Sequence, residues 1–106
     1  METIVDRQHS RVAVPLSVLL NCTSGRREVR VADISVGGCY VDTITGVQPD
    51  EIVGLKFLLP NGFDVEIMGT VAYVHPGIGF GIQFNDMTRE QRTTLEAVIL
   101  MNGGTL

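Results

Sequence analysis

Asp33-Ile34-Ser35-Val36-Gly37-Gly38 closes a segment, Arg26 to Ile34, in which Val29 and Val31 alternate with Glu28 and Arg30. That period is the mark of a strand with one face on a core and the other in water, and the Asp, Ser and Gly residues after it are turn formers. Working outward, Val12, Val14, Leu16, Val18 and Leu20 share one face and predict a first strand, joined to the second through Thr23-Ser24-Gly25. Gly37-Gly38 reads as a point where the chain is re-aimed, since glycine adopts backbone conformations costly for other residues, into a third strand from Cys39 to Thr43. Val53, Leu55, Phe57 and Leu59 mark a fourth, and Pro60-Asn61-Gly62 is a hairpin signal. In the fifth, Asp64 to Val74, the apolar face carries Val65, Ile67, Gly69, Val71 and Tyr73. His75-Pro76-Gly77 turns the chain into a sixth, where Ile78, Phe80, Ile82 and Phe84 share one face.

The last segment changes period. Thr88 and Gln91 have the spacing of a capping box, Leu95, Val98 and Ile99 fall on one helical face, and Asn102-Gly103-Gly104 supplies a stop. The expected fold is all-β with one C-terminal helix: a six-stranded antiparallel barrel whose open end or side the helix covers. At 106 residues the chain has room for one small core, so residues 1–106 are expected to form a single domain. Its parts are a flexible N-terminal arm over 1–11, the barrel over 12–85 and the helix over 88–101.

Composition narrows the function. The formal net charge is −4, but residues 1–30 hold five arginines against three acids, while the remainder holds three basic residues against nine acidic ones. An acidic body lacks the broad basic face that duplex binding requires, so no DNA or RNA partner is expected, yet a local arginine cluster can hold a small anion. No run of eighteen apolar residues and no signal-peptide order at the N-terminus are present, which predicts a cytoplasmic protein with no membrane partner. Cys22 and Cys39 read as buried reduced thiols, and no metal-ligand spacing accompanies them.

The arm carries Arg7-Gln8-His9-Ser10-Arg11, two guanidiniums four residues apart. A second Arg-x-x-x-Arg, Arg26 to Arg30, alternates with apolar residues and reads as a solvated strand face. The first copy stands one hairpin before Asp33-x-Ser35-x-x-Gly38. Together these two patterns resemble the PilZ domain family of bacterial cyclic di-GMP receptors. Met68-Gly69-Thr70-Val71, the glycine-rich stretch Ile78 to Phe84, and Met87 to Arg92 are similar to later segments of the same family.

The resemblance implies a PilZ-type barrel, cyclic di-GMP as ligand with no other cofactor, and Arg7, Arg11, Asp33, Ser35 and Gly38 as ligand-binding residues. Their chemistry suits the ligand. A guanidinium stays charged, grips phosphate or the guanine O6/N7 edge through two donors, and stacks on a base. On an extended arm Arg7 and Arg11 point the same way with roughly 13 Å between their Cα atoms. Asp33 offers two acceptor oxygens to guanine N1–H and N2–H2, which adenine cannot match. Ser35, two residues on, is expected on the same side, either donating to a phosphate or fixing the turn. Gly38 is expected to let backbone approach the ligand. Asp and Ser before a Gly pair also build ordinary turns, so the motif has a purely local reading as well.

No enzyme is expected: Ser10, His9 and Asp6 are neighbours on a flexible arm without the rigid placement nucleophilic chemistry needs. The expected function is a receptor whose arm changes conformation on binding and which signals to a separate, unidentified effector protein. By family resemblance the outputs lie in motility, exopolysaccharide production, biofilm formation or virulence. The alternative is an adaptor of the same fold that binds proteins and not nucleotide.

Overall fold

The computed structural model describes residues 12–14, 16–59, 62, 64–104 and 106. Six strands, β1 (Leu16–Cys22), β2 (Gly25–Ile34), β3 (Gly38–Asp42), β4 (Ile52–Phe57), β5 (Val65–His75) and β6 (Gly79–Phe84), precede one helix, α1 (Arg89–Met101). The strands close into an antiparallel barrel in the order β1-β2-β3-β6-β5-β4, so β1 and β4 seal the wall. Closure gives each of these strands a neighbour on both sides. Inward residues such as Val18, Leu20, Val31, Val41, Leu55, Phe57, Ile67, Val71 and Phe80 are all but completely buried and form one core.

The helix begins as its sequence dictates. Gln91 N–H donates to Thr88 Oγ1 at 3.1 Å while Thr88 N–H donates to Gln91 Oε1 at 2.8 Å, so two amides that the first turn leaves without partners are satisfied reciprocally. Leu95 and Ile99 enter the barrel core, and Gln91 Nε2 donates to the Glu66 carbonyl of β5, which fixes the helix on that side. Beyond Asn102, Gly103 takes φ +88°, the left-handed conformation that ends helices.

Four expectations change in detail. The first strand starts at Leu16, not Val12, and Val12 makes only an isolated bridge to Ile34; the intervening proline has no amide hydrogen for a ladder. Tyr73 does not continue the inward face of β5: a bulge between Val71 and Tyr73 inserts one residue, so Tyr73 is 45% exposed and Val74 turns to the core instead. Ile78 does not share the face of Phe80, Ile82 and Phe84. Its amide donates back to His75 in the hairpin turn, which leaves it 65% exposed. Cys22 is half-buried, with Sγ 3.3 Å from Ser24 Oγ, whereas Cys39 is buried as expected.

Glu51 ties the β3–β4 connection to the β1–β2 turn. Its carboxylate accepts from Thr23 N–H at 2.8 Å and from Gln48 N–H at 3.0 Å, and these bonds, Thr23 foremost, hold its pKa below the ordinary glutamate value. A carboxylate whose pKa is lowered by folding stabilises the fold fully above its unfolded pKa and loses that contribution as pH falls through the folded one. Glu51→Gln is therefore expected to be less stable than the parent at pH 7. The gap should narrow once pH drops below about 4.5, the ordinary value, in urea unfolding followed across pH.

Candidate functional site

The alternation of β2 alone would point Asp33 inward behind Val29 and Val31. It does not, because β2 bulges: Val31 pairs with Val41 and Asp33 with Tyr40, two residues spent against one. Ile34 then takes the inward position and is fully buried, leaving Asp33 half-buried on the outer wall beside Tyr40. The β5 bulge does the same for Tyr73. The two displaced residues end up in one cross-strand row, Asp33 on β2, Tyr40 on β3, Gly81 on β6 and Tyr73 on β5. The next row holds Arg30, Asp42, Gly79 and His75.

On this wall Tyr40, Tyr73 and His75 form an aromatic cluster. Tyr40 and Tyr73 lie with centroids 6.1 Å apart and planes 30° from parallel, and His75 is 5.7 Å from the first and 5.2 Å from the second. Tyr40 Oη and His75 Nδ1 are hydrogen-bonded at 3.0 Å. The rings lie close to the sheet because β6 presents only glycines beneath them. A Cβ on Gly81 would stand 2.4 Å from Tyr73 Cε1, and one on Gly79 would stand 2.9 Å from Tyr40 Cε2. Partial burial, then the neighbouring Tyr73, Asp42 and Asp33, raise the Tyr40 pKa, so its phenol stays protonated at neutral pH.

Ser35 does not share the outer side with Asp33, because β2 ends at Ile34 and the period-two rule ends with it. The Ser35 side chain is 3% exposed. Its hydroxyl accepts from Gly37 N–H at 3.2 Å and approaches the Gly38 carbonyl at 3.4 Å, while its amide donates to that carbonyl at 2.8 Å. Of its two expected roles, the structure displays the turn-fixing one. Gly38 has no left-handed φ; the space a Cβ would need is taken by the Ile82 carbonyl oxygen, 2.1 Å away. Glycine is required there by the contact between β3 and β6 rather than by a special backbone conformation.

Arg7 and Arg11 lie outside the described residues. Val12, which follows Arg11, is held to Ile34 by two backbone hydrogen bonds, Val12 N–H to Ile34 O at 3.0 Å and Ile34 N–H to Val12 O at 2.9 Å. Val12 is thus held opposite Ile34, between Asp33 and Ser35 in sequence. Beside the turn opens a cleft of about 760 Å³ between Val36, Gly37, Gln83, Asp86 and Arg92. Arg92, the cation on this cleft, has its Nε 3.7 Å from a Glu96 carboxylate oxygen. Among the described residues no cluster of three or more His, Cys, Asp and Glu can hold a metal ion, and no helix is long and apolar enough to cross a membrane.

Barrel topology, helix and motif placement together define a known class, and the family model of the PilZ domain matches residues 6–100. The chain belongs to the PilZ domain family. Among solved structures it is similar to the PilZ domain of YcgR from Escherichia coli, determined with c-di-GMP, at TM-score 0.74 and 13% identity, covering 91% of this chain and 90% of that one. It is also similar to the inhibitor of motility MotI from Bacillus subtilis, at TM-score 0.72 and 18% identity over 90% of this chain, and to PlzA of Borreliella burgdorferi in complex with c-di-GMP, at 0.66 and 14% over 88%. The chain spans about half the length of these last two, 48% and 43%. At such identities the likeness is one of fold. No curated protein matches the sequence.

The aromatic cluster escapes sequence reasoning. Tyr73 reads as inward and His75 as a turn residue, and only the two tyrosines' aromatic character, in strands separated by the glycines of Gly79-Phe80-Gly81, hints at a shared surface.

Proposed function

We propose that this chain is a cyclic di-GMP receptor in which Arg7 and Arg11 of the arm clamp the nucleotide against the surface beginning at Asp33. The observation that carries the proposal is the two-bond bridge between Val12 and Ile34. Covalent geometry limits Arg11 to one residue, about 3.8 Å between Cα atoms, from a position paired inside the Asp33 to Gly38 motif. Arm and motif, twenty-two or more residues apart in sequence, therefore serve one ligand. Asp33 selects the base through its two acceptor oxygens. Ser35 and Gly38 hold the turn that displays it, with the hydroxyl of Ser35 available to a phosphate if the turn opens. Ligand captured there orders residues 1–11 over the barrel of a single 1–106 domain, and the new composite surface is read by a separate effector protein. The structures of relatives solved with c-di-GMP support the choice of ligand.

Calorimetric titration is expected to give a dissociation constant of roughly 0.1 to 10 μM, about −7 to −9.5 kcal/mol, with GTP and cyclic di-AMP far weaker. The absence of heat at near-millimolar cyclic di-GMP would move the reading to a protein-binding adaptor of the same fold. Asp33→Ala is expected to weaken cyclic di-GMP and to narrow its preference over cyclic di-AMP, since it removes the acceptor that only guanine satisfies. Unchanged selectivity, measured with both ligands on the same variant, would confine Asp33 to a structural role.

A further inference from the structure

We propose that Tyr40 and Tyr73 form the floor on which a guanine of the ligand stacks, with His75 as the positioning residue that sets the Tyr40 ring. This rests on the receptor reading above and names a subsite within it.

Three features point to a flat, neutral base as the occupant. First, the rings lie against the sheet. Gly79 and Gly81 let the rings lie down across β6, where any side chain would lift them, so their outer faces are offered to a second flat group. Exposed tyrosines on a barrel wall ordinarily stand away from the sheet, and stacking platforms for bases use faces presented in this way. Second, an edge reader stands at the right place. Asp33 is the cross-strand partner of Tyr40, with the two backbones one strand spacing or about 4.8 Å apart, which places its carboxylate on the same wall as the rings. Guanine presents two N–H donors along one edge. Third, the platform offers aromatic rings to a base, while Arg30 in the adjacent row supplies charge that a phosphate needs.

His75 acts through Tyr40. Its Nδ1 bonds the phenol oxygen, and its ring fills the corner between the two tyrosines, so Tyr40 is held at one angle before ligand arrives. Among the described residues, the charged and titratable groups facing the cluster are Tyr40 and Asp42 from β3, Tyr73 from β5, and Arg30 and Asp33 from β2. Asparagine at 75 retains a side-chain oxygen that can accept from the phenol, and leucine does not.

The chain provides its own probe: it contains two tyrosines, Tyr40 and Tyr73, and no tryptophan, so intrinsic tyrosine emission reports this floor alone. The full chain is titrated with cyclic di-GMP, following heat and tyrosine emission in parallel. Emission is expected to be quenched with the same midpoint as the heat. Tyr40→Leu and Tyr73→Leu are each expected to weaken binding about five- to a hundredfold with the melting transition retained. His75→Leu should weaken it about two- to tenfold, and His75→Asn should restore most of the loss. Heat without any change in emission, with both tyrosine variants binding as tightly as the parent, would overturn the stacking floor and leave the receptor reading standing. Neither heat nor quenching would overturn both. Equal binding by His75→Leu and the parent would remove the positioning role.

Discussion

Gly38→Ala is expected to cost about 3 kcal/mol or more of folding stability, placing it among the most damaging single changes available in the chain. The added Cβ would stand 2.1 Å from the Ile82 carbonyl oxygen, 3.2 Å from its carbon and 3.3 Å from Gln83 Cα. All three are backbone atoms, so no side chain can swing aside. Strands β3 and β6 must separate instead, and the pairs Gly38↔Gln83 and Cys39↔Ile82 lie at that seam. The same seam holds the turn in which Phe84 N–H donates to the Gly37 carbonyl at 2.9 Å. Urea unfolding measures the loss directly. Gly46→Ala is the control: nothing lies within 4 Å of its Cβ position, and it should remain within about 0.5 kcal/mol of the parent. A Gly38→Ala protein as stable as that control would show that the strands yield freely, and would return Gly38 to a role in ligand approach.

The largest effect on binding is expected from the arm. Arg7→Ala and Arg11→Ala each remove a charge-assisted, two-donor contact worth about 1 to 3 kcal/mol, a loss of roughly five- to more than a hundredfold in affinity, and the fold should be untouched. The double variant should lose cyclic di-GMP almost entirely, because the two guanidiniums are the main charge-assisted contacts proposed for its phosphates. Arg26 separates this from a general effect of positive charge. It pairs with Asn21 near the far end of β2, seven residues from Asp33, or about 23 Å along an extended strand, so Arg26→Ala should bind as the parent does. Comparable losses at Arg26 and Arg11 would assign the ligand to the wrong arginine pair.

What could be read from the sequence and what could not divides along a physical line. Strand β6 was legible because Phe80, Ile82 and Phe84 alternate with small or polar residues and all three are buried. Helix α1 was legible because a capping box is a local device: Thr88 and Gln91 find each other whatever the barrel does. The two bulges were not legible. Ala32 and Ala72 fit either face of a strand, and nothing in their identity announces that the partner strand advances one residue there while β2 or β5 advances two. Both bulges decide the site, since one brings Asp33 to the outer wall and the other brings Tyr73 there. Ser35 was misplaced for a related reason, a periodicity carried one residue past the end of its strand. The pairing of Tyr40 with His75 depends on β3 and β5 flanking β6, a relation that appears only when the barrel closes.

Cyclic di-GMP is proposed to be held where the arm meets the barrel, against the wall that begins at Asp33. Backbone amide chemical shifts of the isotopically labelled full chain, recorded during titration with cyclic di-GMP, locate it residue by residue. Large changes are expected at residues 7–12 and 33–38, with smaller ones at Tyr40, Tyr73 and His75, and none around the β1–β2 turn at Thr23 and Ser24 at the far end of β2. Saturating changes confined to that far turn, or no change anywhere at near-millimolar ligand, would contradict it.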